Sequence, residues 1–149
     1  MEQLLQTETQ ATTDILDLQY YKEVQEDIWK TDRKRTMLSI LAVAGVLLAG
    51  DLLALARVNL LTANLIAAAC LFPVLFALIG FGALKQPLLA ISAVAILFAA
   101  ILVFNYYRFG AITLLSAWLM KAIVIFLLLR GFMHAREAEA ARKNLKGIQ

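Results

Sequence analysis

Asp51 and Lys121 sit in stretches of sequence that otherwise hold almost only apolar and small side chains. A charge inside a membrane segment costs several kcal/mol unless it finds a partner or water, so such residues face the interior of a bundle. One arrangement is an ion pair that locks two helices together. Another is a polar cavity that binds an ion, a proton or a small polar solute. A third is pairing between subunits, each charge meeting its counterpart on a neighbouring protomer. Asn64, Asn105 and Thr113 are the other polar residues at similar depth, which makes Asp51, Asn64, Asn105, Thr113 and Lys121 the candidate intramembrane cluster.

Depth follows from the helical rise of about 1.5 Å per residue. Asp51 precedes Arg57 by six residues, about 9 Å. Asn64 follows Asn59 by five, about 7 to 8 Å. Lys121 lies roughly 15 Å into its stretch from the same side, and a lysine stem snorkels about 6 Å toward the surface. If helices close in sequential order, the first and fourth become neighbours and Asp51 meets Lys121. Around Asp51, Ala44, Leu47 and Ala54 share a face, and Ala117 lies one turn from Lys121. Gly45/Ala49 and Gly50/Ala54 have the small-xxx-small spacing of close helix contacts.

The elements that must position these residues are four apolar runs, 37–56, 60–84, 88–106 and 111–130. About 20 residues cross a hydrocarbon core, and helices are required because open strands would leave backbone groups unpaired in lipid. Pro73 falls near the middle of the longest run, where a single proline favours packing over a substrate-binding break. The connections are three or four residues long, which makes consecutive helices antiparallel neighbours. The expected fold is all-α: a polytopic four-transmembrane-helix antiparallel bundle with an N-terminal amphipathic helix and a cytoplasmic C-terminal helical extension. Segment 1–36 precedes the bundle (37–131) and segment 132–149 follows it.

Apolar residues make up 62% of the 149 and mean hydropathy is +0.76, an excess that needs lipid as solvent. Lys and Arg near the spans fall almost entirely on one side: Lys30, Arg33, Lys34, Arg35, Lys85 and the basic residues from Arg130 on, against Arg57 and Arg108. The expected location is therefore the cell (inner) membrane, with both termini cytoplasmic. The first 30 residues are acidic and polar, unlike a cleavable signal. The net charge of +3 lacks a continuous basic stripe, which argues against nucleic acid.

No HExxH, GxSxG or P-loop occurs, and no pair of embedded acids. Ser39, Ser92 and Ser116 have no histidine at their depth. No catalytic residue and no cofactor is expected. Cys70 is alone, and His134, beyond the last span, is the sole histidine, which argues against a His-based metal site within one chain.

In the N-terminal segment Thr13 or Asp14 is suited to cap a helix over about 14–30. Ile15, Leu18, Tyr21, Val24 and Ile28 recur every three or four residues as an apolar face, opposite Asp17, Lys22, Glu23, Glu26 and Asp27. The acidic side suits a protein helix better than anionic lipid. The first 32 residues carry 8 acids against 2 bases, and the last 20 carry 5 bases against 2 acids. The tails therefore either contact one another or stay solvated. The functional expectation is a non-catalytic accessory or scaffold subunit, forming a homo-oligomer or joined to a partner membrane protein. The alternative is an ion, proton or small-solute carrier built on the cluster around Asp51 and Lys121.

Overall fold

The computed structural model describes residues 2–57, 59, 62–110 and 118–147, with side chains from Leu16 on except that of Phe109. The described residues form four helices and no strand: α1 (Glu2–Arg57), α2 (Ala63–Gly82), α3 (Pro87–Phe109) and α4 (Trp118–Gly147). Each is long and apolar enough to cross a membrane. The start of the fourth apolar run, with Thr113 and Ala117, lies outside the described residues.

α1 is one unbroken helix of 56 residues, about 84 Å at the standard rise. Neither Thr13 nor Asp14 begins a helix; both lie within α1. The reason is local: α1 contains no proline and no glycine before Gly45, so nothing stops the helix between the tail and the span. α4 likewise runs past its apolar part to Gly147.

α1 and α4 share the most extensive interface of the fold. Their contact points descend in α4 as they rise in α1. Gln25 Oε1 accepts a bond from Asn144 Nδ2 at 3.5 Å, and Asp32 meets His134. Ser39 lies against Gly131, and Gly50 against Met120. On α4 the buried residues are Val124, Leu128, Gly131, Ala135, Ala138 and Ala141. All are spaced by three or four, the seam of a coiled coil, and the four small ones let the helices approach closely.

The core joins all four helices. Ile40 and Val43 of α1, Phe76 of α2, Ile91 and Val94 of α3 and Val124 of α4 are each no more than 1% exposed. Pro73 is buried inside α2, which continues through it. Outward faces carry Leu71, Leu78, Ile96, Phe126 and Leu129, each at least 60% exposed, a surface suited to lipid rather than water.

Two connections show how the ends are held. After α2, Ala83, Leu84 and Lys85 donate backbone bonds to Gly80, Phe81 and Gly82, tight i→i+3 turns that close the helix. Pro87 then starts α3 at a position where its missing N–H is no loss. Arg33, stacked over Trp29 with 4.6 Å to the ring centroid, donates to the Leu84 carbonyl at 3.3 Å. This basic residue thus ties α1 to the α2–α3 turn.

At the other end Gly110 (φ 73, ψ −169) caps α3 and donates to Tyr106 O at 2.8 Å. That backbone region is open essentially to glycine alone. Gly110→Ala is expected to cost about 1–3 kcal/mol, read as a lower midpoint of thermal unfolding in detergent.

Candidate functional site

Three residues of the sequence-derived cluster come together. Asp51 from α1, Asn105 from α3 and Lys121 from α4 line one cavity of about 240 Å³, together with Phe72, Phe98 and Met120. Gly50 and Ala54 border the cavity too, so their small-residue pair faces α4. Gly45, by contrast, has no neighbour within 4 Å of where a Cβ would stand. Asp51 continues the spacing of Ile40, Val43 and the partly buried Leu47 on α1, so it borders the cavity although it is itself exposed.

The salt bridges among the described residues do not include an Asp51–Lys121 contact of 4 Å or less. The two charges face a shared space of mixed character, with aromatic walls and one amide. Such a space offers an acceptor, a donor and room for a few waters or a small ion.

Asn64 is exposed in the first turn of α2 and does not line the cavity. Phe72, eight residues on, occupies the α2 position there instead. Eight residues rotate a helix by about 80° beyond two full turns, which separates the two side chains in direction. Thr113 lies outside the described residues.

The second candidate surface is the paired extension of α1 and α4 below the spans. Gln25, Trp29 and Asp32 are among the α1 residues that are covered or partly covered there. Trp29 and Leu145 border one hollow, while Glu139 and Arg142 border another with Gln86 at the start of α3. The apolar face read from the sequence stays uncovered; Leu18 lies seven residues before Gln25, about two turns along the same side of α1 and past the Asn144 contact. Leu18, Tyr21, Val24 and Ile28 are exposed by 51, 44, 37 and 36%, alongside Leu16 and Tyr20. The side chain of Ile15 lies outside the described residues.

Where the extension meets the spans, two hydroxyls bond back to carbonyls of α1. Thr36 Oγ1 donates to Asp32 O at 2.9 Å and Ser39 Oγ to Arg35 O at 3.0 Å. Asp32 itself is buried and reaches His134 Nδ1 at 3.2 Å and Arg35 at 3.5 Å. Asp32, His134 and Glu137 form a group, although the sequence reading took the lone His134 as an argument against a metal site and did not single out Asp32 or Glu137. The only sequence signal was weak: an acid beside the basic run Arg33-Lys34-Arg35 and a His–Glu pair at i, i+3.

Compared with known proteins, the chain matches no family model, no curated protein and no solved structure.

Proposed function

We propose that the chain is a non-catalytic scaffold subunit of a cell membrane, an antiparallel four-helix bundle with both tails cytoplasmic. Its α1–α4 extension serves as a stalk that presents an apolar helix face. The observation that carries this reading is the exposed row Leu18, Tyr21, Val24 and Ile28 on a helix continuous with the core. An uncovered apolar row on a helix marks an interaction surface. Asp17, Glu23, Glu26 and Asp27 flank the row, so the fitting occupant is a helix with an apolar stripe and basic edges, from a partner membrane protein or from the basic α4 end of another copy.

The Lys/Arg bias places the stalk in the cytoplasm. The Arg33–Leu84 bond, which puts the Lys85 turn at the same end of the bundle as the stalk, fits that bias.

The test is site-specific photocrosslinking in native membranes at Leu18 and Tyr21, with lipid-side Phe126 as control. A discrete protein adduct at the first two positions, lost in Leu18→Lys/Tyr21→Lys/Val24→Lys, is the expected result. The mass of the adduct separates a second copy from a different protein. The triple variant is expected to keep its unfolding midpoint, because all three side chains are exposed. No adduct from Leu18 or Tyr21 would sink the scaffold reading.

A carrier is the second reading, favoured by the cavity that Asp51, Asn105 and Lys121 share. In it, Asp51 and Lys121 exchange each other for a solute ion or proton during the cycle.

A further inference from the structure

The base of the stalk holds an arrangement that helix packing alone does not explain. His134 Nδ1 stands 3.2 Å from Asp32 Oδ1 and 3.5 Å from Glu137 Oε2. The candidate ligand atoms of these residues all lie within 4.8 Å of one another. Yet Nδ1 is fully buried and makes no hydrogen bond, because neither oxygen lies where a ring N–H would point. A buried polar nitrogen left unpaired is costly, and two carboxylates drawn to it are two like charges that repel.

A divalent cation among the three resolves both problems. Four-coordinate zinc binds nitrogen and oxygen at about 2.0–2.2 Å, which sets neighbouring ligand atoms about 3.3–3.5 Å apart. The 3.5 Å distance from Nδ1 matches that spacing, and the 3.2 Å one is slightly shorter. The helices also supply the geometry: His134 and Glu137 are one turn apart on α4, and Asp32 faces them from α1. The Asp32 side chain is 8% exposed and that of Glu137 59%, so one side of the group opens to water, giving an entry path and room for a water ligand. Arg35, 3.5 Å from Asp32 Oδ1, is the cation that competes for the carboxylate, but its side chain is 58% exposed and free to swing outward.

We infer that Asp32, His134 and Glu137 bind a divalent first-row transition metal ion, with Zn²⁺ the best fit, and that the ion clamps α1 to α4 at the base of the stalk. One imidazole and two carboxylates suit zinc or manganese over magnesium, which takes oxygen ligands and keeps its water. Binding requires neutral imidazole and ionised carboxylates, so it releases any proton that His134 holds. The clamp lies outside the four apolar runs and uses neither Asp51 nor Lys121.

The test uses the full chain purified in detergent without an affinity tag of histidines. Co²⁺ is titrated as a coloured probe, and Zn²⁺ then competes it off. The expected result is one Co²⁺ per chain, with the intense visible bands of four-coordinate cobalt, and an unfolding midpoint that rises with Zn²⁺ and falls back with chelator. Glu137→Gln is expected to weaken binding by at least about tenfold while leaving the midpoint in chelator unchanged, because that side chain is exposed. His134→Gln is expected to abolish the bands. Bands and Zn²⁺ stabilisation that are the same in wild type and both variants would mean an adventitious ion only and overturn the proposal. So would the absence of saturable binding at millimolar metal.

Discussion

Lys121→Met is expected to lower the unfolding midpoint in detergent, and Asp51→Asn in the same chain to restore most of the loss. The two side chains reach one cavity from adjacent helices, and removing either charge takes the opposite sign out of that shared space. Breaking a tightly buried pair costs about 3–5 kcal/mol. Here the charges share a space instead of touching within 4 Å, and Asp51 is exposed, so the cost falls to about 1–2 kcal/mol at most. For a domain of this size that is a drop of about 2–8 °C. The Asp51→Lys/Lys121→Asp exchange keeps both charges in the cavity and is expected to lie between wild type and the single changes. Flux of protons and small cations, read in liposomes on the same samples, separates the two functional readings. A scaffold shows stability coupling with no flux in any variant. A measurable flux that Asp51→Asn abolishes while the chain stays folded would replace the scaffold with a carrier.

Much of this architecture is legible in the sequence because lipid makes strict demands. A run of about 20 apolar residues has few solutions other than a spanning helix, and Lys85-Gln86-Pro87 leaves room only for a turn, which the structure places after Gly82. The continuity of α1 was less legible. Thr13 and Asp14 are good caps, but a cap favours a start only where the preceding residues leave the helix, and Glu2–Thr12 contains nothing that would make them do so. Polar composition suggested solvated tails as readily as paired ones. What decided the matter is the row Gly131, Ala135, Ala138 and Ala141. Alanines in a polar segment carry little hydrophobic signal, although their value lies in how closely they let another backbone approach.

The cluster divides in the same way. Counting rise along a helix gives depth, and Asp51, Asn105 and Lys121 do share a cavity. Depth says nothing about direction around the helix. Asn64 misses in depth as well, since the α2 residue at the cavity, Phe72, lies about 12 Å further along the helix. Asp32 and His134 are a harder case, 102 positions apart. Their meeting depends on α1 pairing with α4, a long-range fact that no short pattern encodes.

Gly131→Leu is expected to destabilise the bundle strongly. A Cβ at this position would stand 2.9 Å from Ile91 Cδ1 and 3.0 Å from Ser39 Cβ, at the point where α1, α3 and α4 come together. Ser39 Cβ is fixed to its backbone and cannot turn away. Ile91 is 1% exposed, so its methyl has little space to move into. Alanine here would gain about 1 kcal/mol in helix propensity against the push on both neighbours, and Gly131→Ala is expected to come out near neutral. Leucine adds three more carbons to a site without room, and the helices must separate. Overpacking of this kind costs about 1–3 kcal/mol, occasionally more, and three helices meeting at one point put Gly131→Leu at or above about 3 kcal/mol. The matched control is Gly45→Leu on the same bundle, where no atom lies within 4 Å of the new Cβ; there the propensity gain stands alone and the midpoint is expected to hold or rise. Gly50→Ala is the intermediate case, since the obstacle is the end of the flexible Met120 side chain. Equal midpoints for Gly131→Leu and Gly45→Leu would mean that α1 and α4 do not meet at Ser39 and Gly131. The stalk and the shared cavity, which both depend on that pairing, would then fall together.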